Sequence, residues 1–311
     1  MKQYTINRND AGQRLDKFIL KAAPTLPKSL MYKSIRKKNI KLNGKRCEAS
    51  QLLCEGDVLA LYISDEFFPD EKVGKIFNFN GSTAKPDIVF EDEDIAVINK
   101  PVNLPCHSGG RTEDTLVDRF VRYLAGKGEY VPENEASFTP ALCNRLDRNT
   151  CGLVIGAKNA AALRAVNELI RNGGAVKKYL CFTVHVPRDE SALLTAYMRK
   201  NERTNTVEVS DVPREGFTET KTGYRVLERL ENNLCLLEVT LYSGFTHQIR
   251  AQLAHIGCPV AGDRKYGDER FNRGFEHQAL QSYELRLNFP EASAYSKYNK
   301  MIFRAPEKLK L

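Results

Sequence analysis

Residues 144–156 are NRLDRNTCGLVIG, a polar turn that leads directly into an apolar strand pattern. The turn places the carboxylate of Asp147 between the guanidinium groups of Arg145 and Arg148. Neighbouring arginines favour the charged form of a carboxyl group, even against the desolvation cost of a cleft. The stretch therefore predicts an ionised aspartate just ahead of a strand.

The tripeptide Arg-Leu-Asp occurs twice in this chain, so it is weak evidence by itself. The first copy, Arg14-Leu15-Asp16, opens an amphipathic helix, where Asp16 is most simply an acid of the first turn that the helix dipole favours. The second copy, which contains Asp147, lies in a polar turn before a strand. This context favours the second copy as the functional one.

Charge is distributed unevenly along the chain. The 311 residues carry 47 lysines and arginines against 39 acids, a formal net charge of +8, and the 42% hydrophobic content is that of a globular protein. The segment from Ala11 to Ser50 contains eight lysines and three arginines against two acids, so it alone carries +9 and the remainder carries −1. Such a segment is either a solvated lysine-rich face or a surface that binds a phosphate backbone.

The same basic segment has a distinctive order of elements. It predicts a helix over 14–23, a second helix from an N-cap at Ser29 to about Lys38, a strand entering a turn over 39–44, and a strand over 58–63. With RLDKF at its start and KLNGKR in its turn, it resembles the RNA-binding domain of ribosomal small-subunit protein four over about residues 12–65. The resemblance implies RNA binding by basic side chains, which we expect to be Arg14, Lys37, Lys38, Lys41, Lys45 and Arg46.

A second set of elements begins beyond residues 67–86, whose glycines and prolines among polar neighbours indicate a linker. We therefore expect a small basic domain at 1–66 and a larger domain at 87–311. The predicted elements of the larger domain include a hairpin over 88–100, a helix over 159–170, strands over 177–184, 237–241 and 280–289, and a helix capped by Thr246 that ends at Gly257.

Missing motifs exclude several classes of protein. The eight cysteines contain no C-x-x-C pair, and His247 and His255 are not part of an H-E-x-x-H motif, so no metal site is expected. No Walker sequence and no G-x-G-x-x-G occurs, so no nucleotide cofactor is expected. Neither a signal peptide nor a run of eighteen apolar residues is present, and we expect a cytoplasmic protein with reduced cysteines and no membrane partner.

Four sequence blocks follow one another between residues 145 and 267. They are RLDRNTCGL at 145–153, KKY at 177–179, GFTHQIR at 244–250 and GDRKYG at 262–267. One block could arise by chance, but four in this order make coincidence implausible. Together with Asn99-Lys100-Pro101 and the strand at 280–289, they resemble the pseudouridine synthases of the RluA family over about residues 86–305. The basic amino-terminal segment matches an appendage that several members carry.

The resemblance implies a fold and a reaction. The fold is α+β, with a mixed, largely antiparallel sheet flanked by helices in the larger domain and a small α/β RNA-binding domain at the N-terminus. Enzymes of this family cut the N-glycosidic bond of a uridine in RNA, turn the base over and rejoin it to the ribose through carbon, with neither metal nor cofactor. We therefore expect an isomerase that binds RNA, needs no cofactor and is a monomer.

Site residues follow from the same resemblance, position by position. Asp147 is the essential carboxylate, Arg250 pairs with it and keeps it ionised and aimed, and Tyr179 stacks on the target uracil near the proton lost from carbon. Arg145 enters the RNA stack and fills the space that the flipped nucleotide leaves. Further RNA contacts are expected from Arg148, Lys177, Thr246, His247 and Gln248.

The sequence departs from the family pattern at four places. Asn144 stands where a histidine usually precedes Arg-Leu-Asp, Asn103 replaces a glycine, Phe245 replaces an arginine, and Gln281-Ser282 replaces His-Ala. Asparagine tolerates a positive φ, so Asn103 can keep a turn. Phe245 loses a phosphate contact and Asn144 loses a supporting donor, which bears on RNA preference or rate. The expected catalytic set is intact, which favours an active enzyme.

The RNA target is less constrained than the reaction. The extra basic domain suits a folded RNA with more surface than one stem-loop, so we expect large-subunit ribosomal RNA, and transfer RNA stays open. Two readings from other classes also stay open at this point: an inactive paralogue that binds RNA as an assembly factor, and a metal-free glycosidase of free nucleosides.

Overall fold

The computed structural model describes residues 1–68, 84–109, 113–267, 269–272 and 274–310. Within these ranges the strands form two sheets, one of four strands near the N-terminus and one of eleven strands in the remainder. This is the α+β architecture expected from the sequence. None of the described helices is long and apolar enough to cross a membrane. Most of the expected linker, residues 69–83, lies outside the described residues, and the domain boundaries stay a prediction.

The amino-terminal sheet packs with two helices around one apolar core. The elements are, in chain order, β1 (Lys2–Thr5), α1 (Leu15–Ala22), α2 (Lys28–Arg36), β2 (Ile40–Leu42), β3 (Lys45–Arg46) and β4 (Val58–Leu61). The strand order is β1-β4-β2-β3, with antiparallel neighbours. Apolar residues at helical spacing in α1, including Phe18 and Ile19, are fully buried in this core. The predicted cap at Ser29 is wrong, because Pro27 precedes the helix with a φ of −59° and Ser29 is already its second residue.

The larger sheet belongs to residues 87–304. Its strands and helices are, in chain order, β5 (Asp87–Glu91), β6 (Ile95–Lys100), α3 (Leu116–Gly126), β7 (Ala141–Leu142), β8 (Cys151–Ala157), α4 (Ala160–Arg171), β9 (Ala175–Val184), β10 (Ser191–Asn201), β11 (Thr206–Ser210), β12 (Thr218–Arg229), β13 (Leu234–Leu241), α5 (Gln248–His255), β14 (Leu280–Leu287) and β15 (Met301–Arg304). The main path is β11-β10-β12-β13-β9-β14-β8-β6-β5, with β15 beside β14 and β7 beside β8. Most neighbours are antiparallel, and β8 and β14 pair in parallel, so the sheet is mixed.

Strand β6 illustrates how the sheet buries both of its faces. Ile95 and Val97 lie in a core that includes residues of α4, whereas Ala96 and Ile98 lie in a core that includes residues of α3. Successive side chains of a strand point to opposite faces, so a strand covered on both sides is a continuous apolar run. The helices α3 and α4 therefore flank the sheet on its two faces.

Gly152 permits the parallel pair of β8 and β14. It has a φ of +104°, and a Cβ at this position would lie 2.1 Å from the carbonyl oxygen of Ser282 on β14. Glycine is therefore required both by the backbone conformation and by the space available. This close approach draws the loop that contains Asp147 against β14, which in turn pairs with β9.

Polar side chains connect the amino-terminal region with the larger sheet region. Asn9 Nδ2 donates to Glu135 Oε1 at 2.6 Å, and Gln13 Nε2 donates to Ser137 Oγ at 2.7 Å. The backbone N–H of Ala160, at the start of α4, donates to Asn9 Oδ1 at 3.2 Å. The contact uses residues 7–13 and leaves the basic turn between β2 and β3 exposed.

Candidate active site

Three segments bring charged side chains together beside β8. The loop before β8 carries Asp147, helix α5 carries Arg250, and the turn that follows α5 carries Asp263. Arg250 Nη1 donates to Asp147 Oδ2 at 2.7 Å, while Nε and Nη2 donate to Asp263 Oδ2 and Oδ1 at 2.7 and 2.8 Å. The pairing of Arg250 with Asp147 that the sequence analysis expected is present. The bidentate pair with Asp263 is an addition that the sequence analysis did not identify.

The charge states of this network follow from the balance between burial and ion pairing. Burial alone would raise the pKa of Asp263, but the hydrogen bonds and positive charge of Arg250 outweigh it and hold that pKa below its usual value. Burial also opposes the charge on Arg250, and its hydrogen bonds to the two carboxylates more than compensate, so its pKa rises. Arg250 is therefore a fixed positive charge between two carboxylates.

Asp147 is the most accessible member of the network. Its side chain is 28% exposed, compared with 8% for Arg250 and 0% for Asp263. Arg250 holds Oδ2, whereas Oδ1 lies 3.9 Å from His247 Nε2, beyond hydrogen-bond distance. A carboxylate with one oxygen held and the other accessible can act on a substrate as a nucleophile or as a base.

Lys100 supports the loop of Asp147, although the sequence analysis gave it no role. It is completely buried, and its Nζ donates to the carbonyl oxygens of Pro101, Leu104 and Arg148, each at 2.8 Å. Burial lowers the pKa of Lys100 to about 8. The three carbonyl acceptors compensate for the buried ammonium group, which ties the 101–104 turn to the residue that follows Asp147.

Tyr179 and Ser282 are partners across β9 and β14. Tyr179 is buried and lies opposite Ser282, whose hydroxyl donates to the Leu153 carbonyl at 3.3 Å. Burial raises the pKa of the phenol, and the negative charge of Asp147 acts in the same direction. Tyr179 is therefore a neutral phenol within electrostatic range of Asp147.

The start of α5 differs from the expected cap. His247, with a φ of 53°, precedes the helix, and no side chain caps it, so the prediction that Thr246 is the N-cap is wrong. His247 Nδ1 lies 2.8 Å from the hydroxyl oxygen of Tyr266. The Tyr266 ring also lies 5.4 Å from Cζ of Arg250, within the range of a cation–π contact. Tyr266 thus contacts two members of the site and is a further residue to which the sequence analysis gave no role.

Gln248 is part of the architecture of this turn. The side chain is buried, and its Nε2 donates to Thr222 Oγ1 at 2.8 Å and to a backbone carbonyl. Its Oε1 accepts from the N–H of Phe245 at 3.0 Å and from Ser243 Oγ at 3.1 Å. Both ends of the amide are used within the protein, so the expected RNA contact from Gln248 is corrected to a role in holding the turn before α5.

The other expected RNA contacts of the larger domain differ in accessibility. Arg145 and Arg148 flank Asp147 and are both exposed, and Arg148 pairs with Glu113. Lys177 and Thr246 are half-buried. Burial lowers the pKa of Lys177, whose Nζ lies beside Gly244. Arg145 is therefore an exposed cation next to Asp147 in the chain, and Lys177 lies next to the GFTHQIR block.

The expected contacts of the amino-terminal region surround its hairpin. Lys37, Lys38, Lys45 and Arg46 are exposed. Lys41 Nζ lies 5.6 Å from the centre of the Tyr62 ring. Arg14 differs from them, because its guanidinium forms two hydrogen bonds with Asp16.

Three departures from the family pattern have structural roles here. Asn103 has a φ of 58°, so it takes the left-handed conformation of the glycine that it replaces. Asn144 Oδ1 accepts from the N–H of Ile155 at 2.8 Å. Phe245 packs on a small apolar cluster that also contains Tyr266. Each therefore supports a loop of the site.

Gln281, the remaining departure, fastens the C-terminal segment. Its Nε2 donates to the carbonyl of Glu307 at 2.7 Å, and its Oε1 accepts from the N–H of Leu309 at 2.7 Å. The amide thus holds residues 307–309 beside β14.

One cluster of potential metal ligands occurs within the described ranges. Asp92, Glu93 and Asp94 lie in the turn between β5 and β6, with ligand atoms close enough to share an ion. Lys297 Nζ pairs with all three carboxylates. These acids belong to the β5 edge of the sheet, several strands from β9 and β13.

Comparison with known proteins identifies two family models in this chain. The RNA pseudouridylate synthase model matches residues 94–255, and the S4 domain model matches residues 13–59. A Mycoplasma capricolum protein described as an uncharacterized RNA pseudouridine synthase is 30% identical over 99% of this chain and 98% of its own length. The ribosomal large subunit pseudouridine synthase C of Pasteurella multocida is 28% identical over 96% of this chain and 90% of its own length.

Solved structures show the same fold. Human RNA pseudouridylate synthase domain containing 1 matches with a TM-score of 0.57 at 22% identity, over 73% of this chain and 85% of that one. Human RNA pseudouridylate synthase domain containing 4 matches with a TM-score of 0.56 at 23% identity, over 72% of this chain and 88% of that one. The family resemblance is confirmed: the chain belongs to the RNA pseudouridylate synthase family, contains an S4 domain, and is an isomerase that acts on RNA.

Proposed function

We propose that this enzyme converts uridine to pseudouridine at specific positions of large-subunit ribosomal RNA, with Asp147 as the essential catalytic carboxylate. The Asp147–Arg250–Asp263 network carries the proposal. In it, a buried arginine locked by a buried aspartate orients a carboxylate whose second oxygen stays accessible. Such a held side chain is what a reaction at one fixed atom needs, because misplacement of a reacting group slows catalysis steeply.

The reaction exchanges one glycosidic bond for another without oxidation or reduction. The bond from N1 to the ribose C1′ breaks, the uracil turns over and a bond from C5 to C1′ forms. The hydrogen on C5 leaves as a proton and N1 takes up a proton, so the product is an isomer of the substrate. Asp147 attacks or assists at the base or the sugar. Tyr179 borders the uracil, and Arg145, exposed beside Asp147, occupies the gap that the flipped nucleotide leaves in the RNA.

RNA is gathered by the basic amino-terminal domain, which we take to span residues 1–66, with a linker at 67–86 and a catalytic domain at 87–311. The exposed cations of its hairpin and of the end of α2 suit a phosphate backbone. A relative named as a ribosomal large subunit synthase, similar along nearly the whole chain, supports ribosomal RNA as the target. We place the enzyme in the cytoplasm, acting as a monomer without a metal.

Tritium release tests the reaction and the target together. Transcripts of large-subunit ribosomal RNA and of transfer RNAs carry tritium at uridine C5, and each is incubated with the wild-type protein and with Asp147→Asn. We expect the wild type to release tritium from the ribosomal transcript and the variant to release none. Release only from transfer RNA would overturn the target. Absence of release from every transcript would favour an RNA-binding assembly factor, and mapping pseudouridines in cells with and without the protein would identify the position.

A further inference from the structure

His247 ends a chain of hydrogen bonds that begins on β11, and its other ring nitrogen faces Asp147. The backbone N–H of Val207 on β11 donates to the Tyr266 hydroxyl oxygen at 2.9 Å. That hydroxyl lies 2.8 Å from His247 Nδ1, and His247 Nε2 lies 3.9 Å from Asp147 Oδ1. The two ring nitrogens of His247 therefore face different groups, one of them a hydroxyl and the other the accessible oxygen of the carboxylate.

The position of the protons follows from the donors and acceptors in this chain. Burial raises the pKa of Tyr266 to about 12, so its hydroxyl keeps its hydrogen at neutral pH. Its oxygen already accepts from Val207, and His247 Nδ1 is the acceptor within reach of its hydrogen among the described residues. This arrangement favours Nδ1 of His247 as the unprotonated nitrogen, in which case the neutral imidazole carries its hydrogen on Nε2.

The charges around His247 keep the ring neutral. Burial disfavours the imidazolium and lowers the pKa of His247, and the positive charges of Arg250 and Lys265 act in the same direction. The carboxylates of Asp147 and Asp263 oppose them without reversing the shift. The neutral ring therefore presents its Nε2–H towards Asp147 across a gap too wide for a direct hydrogen bond.

The backbone holds His247 in place for this purpose. Its left-handed φ of 53° is uncommon for a residue other than glycine, and such conformations persist only where the surrounding structure imposes them. Here the buried amide of Gln248 fastens the turn through Phe245, Ser243 and Thr222. The side chain of His247 is 9% exposed, so its direction is set by these contacts and not by solvent.

We propose that His247 is a neutral hydrogen-bond donor of the active site, which offers Nε2–H to an oxygen of the substrate nucleotide bound at Asp147, and that Tyr266 is the positioning residue that selects this tautomer. This inference rests on the proposed function, because the nucleotide that accepts the hydrogen bond is the uridine of the proposed reaction. It assigns His247 no role as a proton carrier, because the ring neither gains nor loses a proton during the reaction.

Nitrogen NMR tests the tautomer without any need for activity. The full chain is labelled with ¹⁵N-histidine, and the signals of His247 are assigned among the five histidines by their loss in His247→Gln. We expect the Nε2–H tautomer at pH 7 and a titration midpoint below the ordinary value of about 6.5. An Nδ1–H tautomer or an imidazolium at pH 7 would overturn the inference. In Tyr266→Phe, which keeps the ring beside Arg250, the tautomer preference should weaken, whereas Tyr242→Phe, an exposed tyrosine, should leave it unchanged.

Kinetics with tritiated RNA test the role of the donor. His247→Ala should lower kcat about 100-fold, the effect of removing one donor aimed at a reacting substrate, with little change in RNA affinity. His247→Gln should recover part of the loss because its amide is also a neutral donor, and the rate should show no inflection that follows the titration of His247. His255→Gln, at the far end of α5, is the matched control. Unchanged kcat in His247→Ala, with an active wild type, overturns the inference alone, whereas an inactive wild type overturns the proposed function and leaves the NMR result to decide the tautomer.

Discussion

The two copies of Arg-Leu-Asp in this chain have the same sequence, but their aspartates pair with different arginines. In the amino-terminal domain, Arg14 bonds to Asp16 two residues away, with Nε–Oδ1 and Nη2–Oδ2 distances of 3.1 and 2.7 Å. In the catalytic domain, Asp147 bonds to Arg250, which is 103 residues further along the chain. The first copy is closed on itself, with Asp16 only 5% exposed, whereas the second leaves Asp147 accessible.

Local backbone accounts for the difference. Arg14 is extended and Leu15 starts α1, so the first helical turn brings the acid back beside the arginine that precedes it. In the second copy, Leu146 is buried and its N–H and carbonyl both contact the Cys106 thiol, while Arg145 is exposed. A tripeptide therefore specifies a salt bridge only where the local structure closes it, and an active carboxylate is one that the rest of the fold must hold.

We expect the largest difference between the two copies when their aspartates are replaced. Asp147→Asn should reduce isomerisation by roughly 10⁴-fold or more, because the amide can neither attack nor accept a proton, while RNA affinity changes little. Asp16→Asn should keep turnover, because its carboxylate serves only its own helix. Single-turnover tritium release and filter binding with the same RNA measure both. Turnover by Asp147→Asn, or an equal loss in the two variants, would contradict the assignment.

Replacing Asp263 tests whether the Asp147–Arg250 pair of the second copy depends on the second carboxylate that binds Arg250. Asp263→Asn leaves the buried Arg250 with one charged partner, and breaking a buried pair costs about 3–5 kcal/mol of unfolding free energy. Asp211→Asn is the control, since Asp211 is 80% exposed beside His255 and should change stability by less than about 0.5 kcal/mol. Urea unfolding of both variants gives the two unfolding free energies. Equal values would show that the Asp263–Arg250 pair does not stabilise the fold.

The stability lost in Asp263→Asn should also depend on pH in the acid range. The folded state holds the pKa of Asp263 below its ordinary value, so its contribution to stability is complete above the unfolded pKa and is lost as the pH falls through the folded one. The stability difference between wild type and Asp263→Asn should stay constant above about pH 5 and shrink below about pH 4. Unfolding curves collected across this interval measure it, and a difference that grows in acid would reverse the sign.

Two glycines, one packed against β14 and one in the exposed amino-terminal hairpin, extend the comparison between the two domains. Gly152→Ala would place a Cβ 2.1 Å from a carbonyl on β14 at a φ of +104°, and should destabilise the catalytic domain by about 3 kcal/mol or more. Gly44→Ala, in the amino-terminal hairpin, has a φ of +73° with nothing within 4 Å, so only backbone strain of about 1 kcal/mol is expected. Thermal unfolding compares them, and a cost for Gly152→Ala no larger than for Gly44→Ala would show that the two strands separate easily.

Sequence patterns predicted elements whose signals are local. The apolar run of β6 and the helix α4 follow from side-chain periodicity. The predicted caps at Ser29 and Thr246 failed for a local reason too, because a cap depends on the φ and ψ of one residue, and Pro27 and His247 occupy those positions.

Most of the site's support was out of reach of sequence reasoning. Asp263 and Tyr266 stood in a quoted motif, but their partners on α5 and β11 become visible only when the sheet is assembled. Lys100 stood in the Asn99-Lys100-Pro101 segment without an assigned role, and its three carbonyl acceptors come from two separate loops. Buried polar groups require partners that composition does not specify, so they are known only from the fold.

The smallest expected effect concerns Arg14, which the sequence analysis counted among the RNA contacts. Because its guanidinium is engaged by Asp16, Arg14→Ala should leave the dependence of RNA affinity on salt unchanged. Lys45→Ala, at an exposed position of the hairpin, should instead reduce the slope of log affinity against log salt by about 1, as expected for the loss of one phosphate contact. Binding titrations from low to moderate salt measure both slopes. An equal reduction in Arg14→Ala would mean that Arg14 leaves Asp16 for the RNA, and the two copies of Arg-Leu-Asp would then share one feature, an arginine directed at RNA beside an aspartate that stays behind.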